Sequence, residues 1–107
     1  MTSFGEFIKF EREKRGWTQT DLGAKLKINM TKISRIENNK DLFNSTKLSI
    51  LADLFEMEIN KIKELFYGDK FAKEAYKNGC SEKTFQVAEK TVNYLKSKNV
   101  VQVKMKF

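Results

Sequence analysis

One stretch of this sequence concentrates side chains that make directed hydrogen bonds yet cannot run covalent chemistry. It is Met30-Thr31-Lys32-Ile33-Ser34-Arg35-Ile36-Glu37. On a helix, residues three and four apart share a face. Ile33 and Ile36 then turn inward together. Met30, Thr31, Ser34 and Arg35 face outward, with Lys32 and Asn38 on the flanks. The outward set holds a planar fork of donors, rotatable hydroxyls and a polarizable thioether. It suits recognition of hydrogen-bonding edges and anions, and it contains neither a general base nor a metal ligand.

The rest of the chain offers no catalytic alternative. Its 107 residues include no histidine, which removes His-dependent triads, a His general base and His-ligated metals. The single cysteine, Cys80, excludes an internal disulfide and any CxxC motif. It reads as an inert thiol beside a turn, in a reducing compartment. The acidic residues are scattered, without a close pair suited to acid–base work. No glycine loop cradles phosphate. The expectation is no enzyme, no catalytic residue, no metal and no cofactor. No apolar run approaches ~18 residues, and Glu6 interrupts any secretory signal. A cytoplasmic protein with no membrane partner is expected.

Charge points to a polyanion. Lys and Arg number 21 against 14 Asp and Glu, a net of +7. Residues 1–68 carry 12 basic and 10 acidic side chains, a net of +2, and residues 69–107 carry 9 and 4, a net of +5. An anion-binding face in the first part therefore depends on placement. The Lys70, Lys73, Lys77 row reads first as a solvated face.

The elements that must hold the outward face are helical almost throughout. A first helix runs from Phe4 to about Arg15, with Phe4, Phe7, Ile8 and the stem of Arg12 inward and a left-handed exit at Gly16. The Phe4, Phe7, Phe10 stripe reads as core, with Phe10 at its edge, and Trp17 as a core anchor. A second helix has Thr18 as N-cap, Asp21 in its first turn, and Leu22 and Leu26 inward. Gly23 within it reads as a site of close approach by another helix. Lys27-Ile28-Asn29 makes the turn. Asn29 caps the third helix, Met30 to about Asn38, and Asn39 tolerates the left-handed end. After a polar loop, Ser45 starts a fourth helix with Leu48, Leu51, Ala52 and Phe55 inward. A fifth holds Ile59, Ile62, Leu65 and Phe66, pauses at Gly68, and resumes to Gly79. The last, from after Ser81 to about Ser97, carries an a/d-like seam of Phe85, Ala88, Val92 and Leu95. Val101, Val103, Met105 and Phe107 then alternate with polar residues, which is a strand pattern. A lone strand must pair, and the same segment of a second copy is one partner; a helix-packed tail is the alternative.

Two short helices joined through Lys27-Ile28-Asn29, the second with a polar outer face, make a helix-turn-helix able to enter the major groove. Residues 5 to about 66 resemble the phage-repressor/Cro (XRE-type) helix-turn-helix family. The resemblance is carried by Ile8-Lys9, Arg12, Gly16-Trp17-Thr18-Gln19, Leu22, Ile28 and Ile33-Ser34-Arg35-Ile36-Glu37-Asn38. Lys27, Gly23 and Glu11 depart from it, standing where members often have glycine, alanine and leucine. The C-terminal part resembles, more loosely, the extensions of small regulators found beside restriction-modification genes.

The fold this implies is all-α. A five-helix repressor-like domain over 1–68 is followed over 69–107 by a helical extension and a short terminal β-strand. The implied function is sequence-specific binding of double-stranded DNA by a transcriptional regulator, repressor or controller, reading a palindromic operator as a homodimer. The alternatives are an antitoxin with autoregulatory DNA binding and a protein-interaction adaptor. By resemblance, Asn29, Met30, Thr31, Ser34 and Arg35 face bases, and Thr18, Gln19, Lys32, Asn38 and Lys40 meet phosphates. Arg12 and Glu37 form a structural ion pair. Phe85, Ala88, Val92, Leu95, Val101, Val103 and Met105 form the dimer surface, and a further protein partner is compatible with the extension.

Overall fold

The computed structural model describes residues 3–99. The chain separates into two compact units, Met1–Phe71 and Ala72–Phe107. The elements are α1 (Phe4–Lys14), α2 (Gln19–Leu26), α3 (Met30–Glu37), a 3-10 turn (Ser45–Lys47), α4 (Leu48–Phe55), α5 (Ile59–Lys77) and α6 (Lys83–Asn99). No strand occurs among the described residues. The strand expected through Val101, Val103, Met105 and Phe107 lies outside them.

Capping side chains fix where the first helices begin. The first amides of a helix have no partner within it, and a side-chain oxygen supplies one. Ser3 Oγ accepts from Glu6 N at 3.1 Å, and Asp69 Oδ1 accepts from Phe4 N at 3.1 Å, tying α1 to α5 within the first unit. Thr18 and Asp21 cap reciprocally: Thr18 Oγ1 accepts from Asp21 N at 3.0 Å, and Asp21 Oδ2 accepts from Thr18 N at 2.8 Å. Hydrogen bonding from Thr18 to the carboxyl, by its backbone N–H foremost and then by its side chain, holds Asp21 below its ordinary range. Asn29 Oδ1 accepts from Lys32 N at 2.8 Å. Among the described residues, three non-glycine residues turn the chain through the left-handed region: Lys27, Asn39 and Glu56, at φ 57°, 61° and 54°.

The core of the first unit draws on every α-helix in it, while the 3-10 turn contributes no buried residue. Phe4, Phe7 and Ile8 meet Leu22, Leu26, Ile33, Ile36, Leu48, Leu51, Ala52, Phe55, Ile62 and Phe66, all buried. Phe4 packs edge-on against Phe66 and Phe43, with ring centroids 5.3 and 5.9 Å apart. Phe43 lies in the connection that the sequence reads as a polar loop, and it is buried. A single apolar residue carries no period, so its place is not legible locally.

Three readings of the chain need correcting. Gly23 does receive a close approach, but from its own turn: the Ile28 carbonyl oxygen occupies the space a β-carbon would fill. Gly5 has the helix–helix role instead, with the Ile36 carbonyl of α3 against it. The fourth helix begins at Leu48, because Ser45–Lys47 forms a 3-10 turn capped by Asn44 Oδ1, which accepts from Thr46 N at 2.9 Å. Finally, α5 runs through Gly68 without a pause; one mid-helix glycine costs about 1 kcal/mol, too little to break an otherwise continuous hydrogen-bond ladder.

In the second unit Ala75 is buried, and Thr84, Ala88 and Leu95 of α6 are half-buried. Phe85 and Val92, from the expected seam, remain 44% and 41% exposed. Val87 and Tyr94 are exposed too, at 62% and 58%.

Candidate nucleic-acid interface

A single carboxylate joins the three helices behind the outward face. Glu37, at the end of α3, has a side chain only 1% exposed. Arg12 of α1 donates to it twice, Nε to Oε2 at 2.7 Å and Nη2 to Oε1 at 3.0 Å. Gln19, first residue of α2, donates Nε2 to the same Oε1 at 3.0 Å. Arg12 Nη1 goes to the Trp17 carbonyl at 2.8 Å, so the guanidinium also fixes the segment entering α2. The bond to Glu37, ahead of every other influence, raises the Arg12 pKa above its ordinary value. A buried charge must be paired and hydrogen-bonded to be tolerated. This one is, and it locks the angle between the helix start at Gln19 and the exposed helix beyond.

That exposed helix, α3, is anchored by Ile33 and Ile36, both buried. Asn29, Met30, Thr31 and Arg35 are exposed and Ser34 is half-buried. Met30 is 51% exposed, and its sulfur accepts from Thr20 Oγ1 at 3.3 Å. Asn29 spends its side-chain oxygen on the cap, which leaves its amide hydrogens for other acceptors. Asn38 Nδ2 donates to the Ser34 carbonyl at 2.8 Å. Thr18 and Lys40 are exposed, and Gln19 is half-buried at its bond to Glu37.

The loop after α3 engages the two cations of this face. Asp41 Oδ2 lies 3.1 Å from Lys32 Nζ and 3.5 Å from Arg35 Nε. Arg35 Nη2 donates to the Lys40 carbonyl at 3.0 Å, and Lys40 N returns a bond to the Arg35 carbonyl at 2.8 Å. Hydrogen bonding from Lys32, chiefly, holds the Asp41 carboxyl below the usual carboxylate range.

What this arrangement can do is clear from its geometry. A short helix stands on two isoleucines, with its turn-side neighbour locked to it and its donors in solvent. A rod of that diameter with donors on one side matches the major groove of duplex DNA, where base edges differ in their donor and acceptor patterns. A helix-turn-helix family model matches residues 8–62, about half of the chain, and those residues are the elements just described.

The chain belongs to the XRE-type helix-turn-helix family.

Among relatives of this helix-turn-helix protein, the antitoxin HipB of Escherichia coli (strain K12) is 34% identical over 59 residues, which are 55% of this chain and 65% of HipB. The chain thus spans a little under two thirds of that relative's length. A chain in a solved SinR protein/SinI protein complex is similar at 22% identity and a TM-score of 0.48, over 91% of this chain and 99% of that one. Among the described residues no acidic, histidine or cysteine group could hold a metal ion. No helix among them is long and apolar enough to cross a membrane.

Three functional features of this helix-turn-helix are absent from the sequence reading. Gln19 reaches Glu37, which a polar helix-start residue does not announce. Arg15 clips α1 to α4, donating to the Phe55 carbonyl at 2.6 Å and to Glu11 Oε1 at 2.7 Å. That pairing accounts for a buried acid at Glu11, where the family often has leucine. Asp41 is the third; the only signal for it is an acid standing beside a basic helix end.

Proposed function

We propose that this protein is a transcriptional regulator that reads a palindromic operator in double-stranded DNA as a homodimer, with one α3 in the major groove of each half-site. The observation that carries the reading is the exposure of Met30, Thr31 and Arg35 on a helix whose opposite side is wholly committed to the core. Arg35 carries a fork that matches guanine O6 and N7, and a methyl-bearing side chain at Met30 or Thr31 suits a thymine methyl. Thr18, Gln19, Lys32, Asn38 and Lys40 flank this face and would meet phosphates, with the first amides of α2 aiding an anion there. Two copies bring two half-sites under one binding event, about 34 Å apart. The partly exposed Phe85 and Val92 of α6, beside Ala88 and Leu95, support the pairing of copies. Val101, Val103 and Met105 belong to the same proposed surface by sequence and lie outside the described residues.

Selection of bound duplexes from random DNA tests this reading. The expected product is an inverted repeat with half-sites one helical turn apart, and the expected sedimenting species is a dimer. Recovery of unrelated sequences at low salt would refute specific readout. The similarity to the antitoxin HipB favours a second reading, in which the same DNA binding is autoregulatory and the C-terminal unit masks a toxin. A toxin encoded beside this chain and captured by it would decide for that reading.

A further inference from the structure

We propose that Asp41 is a specificity-determining residue of the DNA interface, resting on the function proposed above. It fixes the orientation of the Arg35 fork and offsets the charge of Lys32 and Arg35 against indiscriminate phosphate binding.

The guanidinium has two hydrogen-bonding edges. Its side edge, Nε with Nη2, faces the Asp41 carboxylate and the Lys40 carbonyl. Its end edge, Nη1 with the second Nη2 proton, makes no hydrogen bond among the described residues. That end edge is the pair able to hold guanine O6 and N7 together. A long arginine side chain loses considerable rotamer entropy when it is fixed on binding. Holding the side edge in advance reduces that loss for the one geometry that reads guanine.

The placement of the acid makes little sense otherwise. A carboxylate beside the reading helix opposes a polyanion and lowers affinity for any duplex. Within the fold, its described bonds beyond those to Lys32 and Arg35 amount to one, Leu42 N donating to Oδ1 at 3.2 Å. Asp41 ends no helix and enters no core cluster. Its Oδ2 lies between Lys32 Nζ and Arg35 Nε, so one charge restrains the phosphate-facing lysine and the base-facing arginine together. A surface that trades general affinity for discrimination is expected to carry such an acid.

The experiment compares wild type with Asp41→Asn, using two probes: a duplex carrying the site selected from random DNA and a scrambled duplex of the same length and composition. Affinity for scrambled DNA rises by about two- to fivefold, the scale of an exposed ion pair. The ratio of selected to scrambled affinity falls by about the same factor or more, and the salt slope steepens by roughly one. Asp41→Ser, which still accepts from Leu42 N, behaves alike, because charge carries the effect. In an Arg35→Ala background, Asp41→Asn leaves the ratio unchanged. An unchanged ratio in the single variant overturns the proposal, as does an equal loss in the Arg35→Ala background. If wild type itself shows no preference for its selected site, the functional reading falls and this proposal with it. If wild type is selective and only the Asp41 variants are silent, the proposal falls alone.

Discussion

Removing either member of the Arg12–Glu37 pair should cost far more than removing both. Glu37→Met leaves the Arg12 guanidinium, whose side chain is 9% exposed, with the Trp17 carbonyl and only the solvent-exposed Glu13 carboxylate, 4.0 Å away, as counter-charge. Arg12→Met strands a carboxylate that is 1% exposed and keeps only the neutral Gln19 donor. An uncompensated buried charge costs about 3–5 kcal/mol. A domain of this size is stable by roughly 5–15 kcal/mol in all. Each single variant, at a cost of about 3–5 kcal/mol and 4–8 °C per kcal/mol, should therefore lose about 12–40 °C of melting temperature. The double variant removes both charges and fills the space with apolar atoms, so it should lie within about 2 kcal/mol of wild type. Trp17, the sole tryptophan, packs on Phe55 at 6.4 Å between centroids and reports unfolding of this unit by fluorescence. Urea titrations of all four proteins give the coupling energy directly. Singles costing under about 1 kcal/mol each, with an additive double, would refute the claim that one carboxylate carries the three-helix junction.

Four further outcomes are expected. Arg35→Ala should lose roughly 1–3 kcal/mol of discrimination at one base pair per half-site, with an unchanged melting curve, measured by competition between operator variants. Gly68→Ala should stabilise by about 0.5–1 kcal/mol, because nothing lies within 4 Å of the added methyl. Gly23→Ala should destabilise despite the same helix-propensity gain, because the Ile28 carbonyl must move; denaturant midpoints distinguish the two. Since Asp21 titrates lower in the folded chain than in the unfolded one, its contribution is complete above the unfolded value of about 3.9. It is lost as the pH falls through the lower folded value. Asp21→Asn should flatten that part of the stability–pH curve, and an unaltered acid limb would count against the capping box.

Much of this architecture is legible because its cues are local. The inward spacing of Leu22 with Leu26 and of Ile33 with Ile36, and the caps at Thr18 and Asn29, need no knowledge of the rest of the chain. The burial of Ile33 and Ile36 with Arg35 outside follows from the same spacing. What escapes notice depends on distant partners. Gly5 matters through a backbone carbonyl of α3, Phe43 through a ring on α1, and Arg15 through the end of α4. Gly68 misleads for the opposite reason: glycine permits a break without requiring one. In α6 the seam of Phe85, Ala88, Val92 and Leu95 takes in only part of the apolar surface, since Val87 and Tyr94 are exposed as well.

The division of labour along α3 bears on how such a protein changes its target over time. Ile33, Ile36 and Glu37 hold the scaffold, whereas Thr31 and Arg35 lend nothing to its interior. Substitutions on the solvent side can therefore accumulate at little thermodynamic penalty, while the frame beneath stays fixed. On the function proposed above, lineages can explore new regulatory sites by drift at two or three codons, without first acquiring a more robust fold.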